Sequence, residues 1–159
     1  MKFIQMLPFL LLLLTGCGTQ PYLSQHSAFI VFKTPTVRFA DQGFIYENKE
    51  TLKVEIYGSG QALFTLKVSP ESVCTSTFSC LSKQAFNTQV LSGYYPENMI
   101  EKIFRGKPLL DGMNLKKKRN GFTQKILLAG KYAIEYSVLN NEIVFRDTIN
   151  HILIKIKKV

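Results

Sequence analysis

The sequence predicts a mainly β domain with some helix, in which short strands run antiparallel. Apolar and polar residues alternate over residues 51–57 and again over residues 132–138, which is the period of a half-buried strand. Tight turn sequences such as Gly58-Ser59-Gly60 separate these runs, and such short connections join antiparallel strands rather than parallel ones. One clear helical pattern, over residues 96–105, interrupts the strands, so we expect that helix to lie on a sheet.

The N-terminal half of the domain is predicted to be a series of strands joined by turns. Thr34-Pro35 breaks the first apolar run, and Asp41-Gln42-Gly43 is interpreted as the next turn. The clearest hairpin lies on either side of Gly58-Ser59-Gly60. Strands are predicted over residues 28–33, 37–39, 44–46, 51–57 and 61–68.

The middle of the chain is predicted to hold one helix and an ambiguous segment. Pro96 suits the first turn of a helix, because that position needs no backbone N–H donor, and Gly106 is a typical stop. Residues 81–91 are ambiguous and are interpreted as a short helix. The apolar residues of the 96–105 helix share one face, which we expect to pack in the core: Met99, Ile100, Ile103 and Phe104.

The C-terminal third is predicted to be β again and is strongly basic. Residues 101–159 hold thirteen basic and five acidic residues, whereas residues 17–100 hold six of each. This asymmetry favours an anionic partner such as phospholipid headgroups, lipopolysaccharide or an acidic protein surface, although the lysines can also simply keep one face solvated. The candidate contacts are in a turn-like segment: Lys116, Lys117, Lys118 and Arg119. Strands are predicted over residues 122–128, 131–138, 142–146 and 150–157.

The N-terminus has the pattern of a bacterial secretory signal that ends in a cysteine. Lys2 precedes an apolar run that is too short to span a bilayer, since a span needs about 20 residues. The run closes on Leu14-Thr15-Gly16-Cys17, which resembles the lipobox of bacterial lipoproteins. The resemblance implies cleavage before Cys17 and lipidation of its thiol, and Gly18 in place of aspartate favours the outer membrane. An ordinary signal peptide with an incidental cysteine and an uncleaved anchor are the alternatives.

These observations divide the chain into three parts. Residues 1–16 are predicted to be the signal peptide, residues 17–27 a lipidated tether, and residues 28–159 a single β-rich domain. Once Cys17 is assigned to lipid, Cys74 and Cys80 remain as a pair. In an oxidising periplasm such a pair predicts a disulfide, with a metal site as the alternative, although no histidine lies nearby in sequence.

No motif in the sequence predicts catalysis. The chain lacks a Gly-x-Ser-x-Gly elbow, a phosphate-binding glycine loop and a His-Glu-x-x-His pair, so we expect no enzyme, no cofactor and no metal. We expect no nucleic-acid partner either, because the signal directs the chain out of the cytoplasm. Arg146-Asp147 is interpreted as an ion pair at a strand end, and His151 as a structural or surface residue on a strand. The apolar faces of the strands then either line a cavity for acyl chains or fill a closed core, and composition does not distinguish these two arrangements.

Three segments after the lipobox carry a further resemblance. They are the hairpin over residues 52–66, the helix that ends in Gly106-Lys107-Pro108, and the tyrosine-containing strand over residues 132–136. Their order resembles that of LolB, the outer-membrane lipoprotein receptor. The resemblance implies an antiparallel, partly open β-barrel or half-barrel of the LolA/LolB type, covered by one or two helices.

The resemblance also implies a function. The protein would receive lipoproteins from a periplasmic carrier protein and help insert them in the outer membrane, with its own body in the periplasm. The family carries an exposed bulky apolar residue on the hairpin loop used for insertion, where this chain has Gly58, Ser59 and Gly60. Acyl chains would lie against inward residues of the sheet: Val54, Ile56, Phe64, Leu66, Ile134, Tyr136, Ile143 and Phe145.

Two other functions compete with the receptor. One is a structural lipoprotein that supports assembly of an outer-membrane complex, such as lipopolysaccharide assembly, and the other is a surface-exposed interaction lipoprotein. An open apolar cavity favours the receptor, and a filled core favours the other two.

Overall fold

A computed structural model describes residues 22–77 and 79–159. The predicted signal peptide and Cys17 lie outside the described residues, as does the tether up to residue 21. Within the described part of the chain, eleven strands form one antiparallel sheet whose two edges, β6 and β7, do not pair with each other. This part of the chain is therefore mainly antiparallel β, with an unclosed sheet and two α-helices.

The elements follow the chain in an order that groups the strands on either side of the helices. The strands are β1 (Ser24–Lys33), β2 (Arg38–Glu47), β3 (Leu52–Gly58), β4 (Gln61–Val68), β5 (Ser72–Thr75), β6 (Leu81–Ser82), β7 (Leu115–Lys118), β8 (Gly121–Leu128), β9 (Tyr132–Leu139), β10 (Glu142–Asp147) and β11 (Ile152–Lys158). The helices are α1 (Lys83–Val90) and α2 (Met99–Phe104), followed by a 3-10 turn at Leu110–Gly112.

The sheet consists of two meanders that meet in the middle. Strands β1 to β6 form the N-terminal half-sheet and strands β7 to β11 the C-terminal half-sheet, with each strand beside its neighbour in sequence. The two halves are joined by pairing of β1 with β11, where Ile30 lies opposite Ile156 and Phe32 opposite Ile154. This pairing places the N- and C-terminal strands side by side at the centre of the sheet and leaves both edges next to the helical segment.

The core lies between one face of the sheet and the helices. Alternate residues of every long strand are buried on this inner face, as the period of two requires. Residues 83–114, which we call the cover, contain both helices and pack their apolar side chains on that face. Ring centroids of Phe104 and Phe32 lie 6.3 Å apart, and those of Tyr95 and Phe145 lie 6.0 Å apart, so the cover contacts both half-sheets.

Local hydrogen bonds set where the two helices begin, and a glycine follows the second one. Ser82 caps α1 by accepting a hydrogen bond from the backbone N–H of Ala85 at 3.2 Å, and residues 81–91 thus combine a short strand with a helix. Helix α2 starts at Met99, later than predicted, because the N–H of Met99 closes a turn onto the carbonyl of Pro96. Gly106 follows the helix with φ of 64°, a left-handed conformation that favours glycine.

Three sequence predictions about turns and the tether are wrong. Asp41-Gln42-Gly43 is not a turn but lies inside β2, because Gly43 faces the inner side, where a Cβ would collide with the carbonyl oxygen of Glu55. Strand β1 begins at Ser24, so residues 24–27 belong to the sheet rather than to a tether. Residues 116–118 are strand β7 rather than a turn, and the turn itself falls at residues 119–120.

Candidate functional site

The inner face of the sheet is the candidate functional site. The structure brings all eight sequence-predicted acyl-contact residues to this face, in the pairs of strands β3–β4 and β9–β10. Each of the eight is at most 3% exposed and belongs to one hydrophobic cluster: Val54, Ile56, Phe64, Leu66, Ile134, Tyr136, Ile143 and Phe145. They pack as a filled core rather than lining an open cavity, which is the arrangement that favours the assembly and interaction lipoproteins over a receptor whose cavity is permanently open.

The cover supplies the side chains that fill this core. Six apolar residues of its helices are 0–2% exposed: Phe86, Val90, Met99, Ile100, Ile103 and Phe104. Because burial of one such side chain stabilises by about 1.5–3 kcal/mol, these six together contribute on the order of 10 kcal/mol. The whole cover is one segment inserted between β6 and β7, the two edges of the sheet. Most hydrogen bonds between strands, including those of the central β1–β11 pair, therefore do not involve the cover.

A buried carboxylate attaches the cover to the C-terminal half-sheet. Asp147, which is 1% exposed, accepts a 2.5 Å hydrogen bond from the hydroxyl of Tyr95 in the α1–α2 connection. It also accepts hydrogen bonds from the backbone N–H of Ala133 at 3.0 Å and from the side-chain amide of Asn150 at 2.6 Å. Burial alone raises the pKa of Asp147, but the hydrogen bonds from Tyr95, Asn150 and Ala133 outweigh it and hold this pKa below its usual range.

An arginine attaches the cover to the N-terminal half-sheet. Arg105, just after α2, donates to Glu47 of β2 at 3.1 Å and to the carbonyl of Thr51 at 3.2 Å. It also pairs with Glu101 one turn earlier on α2 at 3.1 Å, and Glu101 in turn meets Lys83 at 3.4 Å. The side chains of this cluster are 11–23% exposed, whereas Asp147 is almost fully buried.

A glutamine fixes the segment that leads from the cover into β7. The side-chain oxygen of Gln124 accepts from the backbone N–H of Leu109 at 2.8 Å, and its amide donates to the carbonyls of Leu109 at 3.0 Å and Met113 at 2.8 Å. Gln124 is 1% exposed. Its side-chain amide provides this segment with the hydrogen-bond partners that a neighbouring strand would otherwise give.

One polar atom on the inner face has no partner. The hydroxyl oxygen of Tyr136 is buried and forms no hydrogen bond with the described residues, and its ring packs against those of Phe122 and Phe145. Burial raises the pKa of Tyr136, so its hydroxyl stays protonated and can donate. An unpaired buried hydroxyl costs about 1–3 kcal/mol, which makes this atom a candidate contact for a polar group of a ligand.

The predicted insertion loop is a tight turn with an exposed leucine beside it. Gly58, Ser59 and Gly60 connect β3 to β4, and Ser59 and Gly60 have positive φ angles of 52° and 81°. The turn itself carries no apolar side chain. Leu63, however, is 51% exposed and lies directly against Gly58.

The predicted basic contacts do not form one patch. Lys116 and Lys118 lie on the outer face of β7, whereas Lys117 pairs in register with Phe122 on the other side of the strand, and Arg119 begins the turn. Lys116 and Lys118, but not Lys117 or Arg119, line an open groove of about 590 Å³. The groove is formed by Asn114, Leu115, Lys116, Lys118, Thr123 and Lys125. Strand pairing thus assembled a basic groove that includes Lys125, which the sequence did not indicate.

The remaining predictions concern cysteines and possible ligands. Cys74 of β5 and Cys80 are joined in a disulfide, which confirms the predicted pair. Arg146 and Asp147 do not form an ion pair, because adjacent strand residues face opposite sides and Asp147 points inward. His151 lies in the turn before β11, with φ of 55°, and not on a strand.

Sequence reasoning missed the residues that hold the cover. Tyr95 and Asp147 are 52 positions apart, and no local pattern links them.

Among residues 22–77 and 79–159, no three His, Cys, Asp or Glu side chains are placed to hold a metal ion. No helix within these ranges combines the length and apolar character needed to cross a bilayer. No family model matches the chain, and the search of the curated proteins found no match.

Proposed function

We propose that this protein is a lipoprotein of the outer membrane that receives other lipoproteins from a periplasmic carrier and helps insert them in that membrane. The observation that carries the proposal is the position of the cover. It is a single segment between the two edges of an unclosed sheet, so it can leave the inner face without breaking the central strand pairs. The filled core is then the closed state of an acyl-binding face.

The free energy gained by burying an acyl chain is similar to that gained by burying the helix side chains it would replace. Burial of a methylene contributes roughly 0.8 kcal/mol, so an acyl chain of about sixteen carbons contributes on the order of 12 kcal/mol. That is close to the contribution of the six buried side chains of the helices. The hydroxyl of Tyr136, unpaired in the closed state, would donate to an ester or amide carbonyl of the bound lipid.

The same proposal assigns the anchor and the insertion element. Lipid on Cys17 would hold the protein at the membrane, with two or more acyl chains needed for stable attachment. The exposed Leu63 beside the β3–β4 turn takes the place of the bulky residue that LolB-like receptors carry on this hairpin. The proposal therefore names Leu63 as the insertion element, next to the candidates Gly58, Ser59 and Gly60.

A cross-link tests whether the cover must move. A Cβ at Gly106 would lie 3.4 Å from Cγ1 of Val138 on β9, so cysteines at these two positions can form a disulfide between cover and sheet. We expect the oxidised Gly106→Cys/Val138→Cys protein to lose acyl-chain uptake from a loaded carrier and to regain it on reduction. The two single variants and the wild type, each with and without reductant, control for strain at Gly106 and for the native disulfide. Unimpaired uptake by the cross-linked protein would contradict the proposal.

Depletion in cells tests the function itself. Depleting the protein should leave outer-membrane lipoproteins stranded in the periplasm or inner membrane, as measured by membrane fractionation. The Cys17→Ala variant should be unlipidated and released from membranes. If every lipoprotein keeps its location after depletion, the receptor function is excluded.

The basic groove favours a second candidate function. A groove lined by Lys116, Lys118 and Lys125 suits the phosphates of lipopolysaccharide, as expected of an assembly lipoprotein. Binding would then fall with rising salt and would be lost in a Lys116→Gln/Lys118→Gln variant, while Lys131→Gln, on the β8–β9 turn, serves as the control. Retained binding by the double variant would exclude this candidate.

A further inference from the structure

A row of aromatic side chains runs along the outer face of the N-terminal half-sheet. Successive ring centroids lie 5.6 Å apart between Tyr22 and Tyr46, 6.2 Å between Tyr46 and Phe44, and 5.8 Å between Phe44 and Tyr57. We call these four residues the aromatic row. It starts at Tyr22, the first described residue, and ends beside the β3–β4 turn.

The aromatic row lies on the face of the sheet away from the helices. Phe44 and Tyr46 alternate with the buried Gly43 and Ile45 of β2, so they point away from the core that the cover fills. All four residues are partly buried, and their rings contact one another. Aromatic pairs of this kind stabilise a sheet by about 0.5–1.5 kcal/mol each, so packing explains part of the row.

The surroundings of the row have the composition of a membrane interface. Phe29 and Leu63, on the same outer face, are 37% and 51% exposed. The ammonium group of Lys53 lies 5.4 Å from the centroid of the Tyr46 ring, and the hydroxyl of Tyr57 donates to Glu55 at 2.9 Å. Apolar ring bodies with polar tips and adjacent lysine are typical of the level of lipid headgroups.

The chain that precedes the row supplies the argument for its partner. Tyr22 follows Cys17 by five residues, which span at most roughly 18 Å when fully extended. A lipid on Cys17 would therefore hold the start of the row within that distance of the bilayer. The basic groove on β7 and β8 belongs to the far edge of the same sheet.

We propose that the aromatic row is the surface on which the body of this lipoprotein rests against the membrane, with its rings at the level of the lipid headgroups. The proposal rests on the lipid anchor of the proposed function. It places the β3–β4 turn at the bilayer and directs the basic outer face of the C-terminal half-sheet away from it.

The absence of tryptophan from the sequence permits a direct test. Single tryptophans are introduced as Tyr46→Trp and Tyr57→Trp in the row, with Leu127→Trp, on the outer face of β8, and Tyr94→Trp, in the cover, as controls. Leu127 and Tyr94 are 74% and 58% exposed, so both control positions are open to a membrane that reaches them. The mature chain is coupled through the Cys17 thiol to a maleimide lipid in vesicles of phosphatidylethanolamine and phosphatidylglycerol with brominated acyl chains. This chemical anchor makes the outcome independent of whether the lipobox is processed in cells.

We expect bromine to quench the fluorescence of Tyr46→Trp and Tyr57→Trp at least twofold relative to unbrominated vesicles, and to leave both control variants unquenched. Quenching that is strongest for Leu127→Trp would overturn the proposal in favour of the basic half-sheet. Equal quenching at all four positions, or none at any of them on protein that floats with the vesicles, would also overturn it. Two probe positions in the row guard against a single variant that fails to fold.

Discussion

The cover is attached to the two half-sheets by contacts of different kinds. At the C-terminal half-sheet the contact is the buried carboxylate of Asp147, which is 1% exposed and accepts hydrogen bonds from Tyr95, Ala133 and Asn150. At the N-terminal half-sheet it is the ion pair of Arg105 with Glu47, whose side chains are 15% and 23% exposed. Buried hydrogen bonds to a charge stabilise more than partly solvated ion pairs. We therefore expect the cover to open from the N-terminal half-sheet first.

The largest effect is expected at the buried attachment. Asp147→Ala removes the acceptor for Tyr95 and for the backbone of β9, so it should lower the free energy of unfolding by about 3–4 kcal/mol. Urea denaturation measures this value. Glu97→Ala, which removes an exposed carboxylate from the cover, is the matched control and should change stability by less than about 0.5 kcal/mol. Equal losses of stability in the two variants would show that the buried hydrogen bonds of Asp147 do not strengthen this attachment.

The pH dependence sharpens the role of the same carboxylate. The pKa of Asp147 is lowered in the folded protein from an ordinary value of 3.8. Its ionised form therefore contributes fully to the free energy of unfolding above about pH 4, and this contribution is lost as pH falls through the folded pKa. The stability difference between wild type and Asp147→Asn should be constant from pH 7 to about 5 and shrink below pH 4. A difference that stays the same down to pH 2 would show that the charge of Asp147 does not matter.

A smaller effect is expected at the N-terminal attachment. Arg105→Gln should lower global stability by only about 1 kcal/mol, because the ion pairs it loses are partly solvated. Amide exchange within α2 should instead rise roughly fivefold, which corresponds to about 1 kcal/mol of easier local opening. Arg146→Gln, at an exposed outward position, is the control and should leave this exchange unchanged. Faster exchange near Asp147 than in α2 would reverse the predicted order of opening.

The smallest effect, and one of opposite sign, is expected at Tyr136. Tyr136→Phe removes a buried hydroxyl that has no partner, so stability should stay equal or rise by up to about 1 kcal/mol. Acyl-chain binding should nevertheless weaken several-fold, since the proposed donor to the lipid carbonyl is gone. A stable variant with unchanged binding would show that this hydroxyl has no part in the site, and Tyr94→Phe serves as the exposed control.

The alternation of apolar and polar residues predicted most of the strands. It failed where a glycine or a run of charged residues departs from that pattern. Residues 51–57 and 132–138 became β3 and β9 because their apolar positions recur every second residue and are buried on one face. Asp41-Gln42-Gly43 has the composition of a turn, yet a close approach of backbone inside β2 requires its glycine. The lysines of β7 also resembled a loop, because an edge strand needs no apolar face of its own.

The sequence by itself determined the antiparallel β class, the inward residues and the cysteine pair, because each depends on a local period or on a count. Only the tertiary structure decided that β1 lies beside β11, that one inserted segment fills the inner face, and that Tyr95 meets Asp147. It also decided that Tyr22 joins Phe44, Tyr46 and Tyr57 in one row. These contacts join residues that are distant in sequence, and strand register, which no local pattern specifies, places them together.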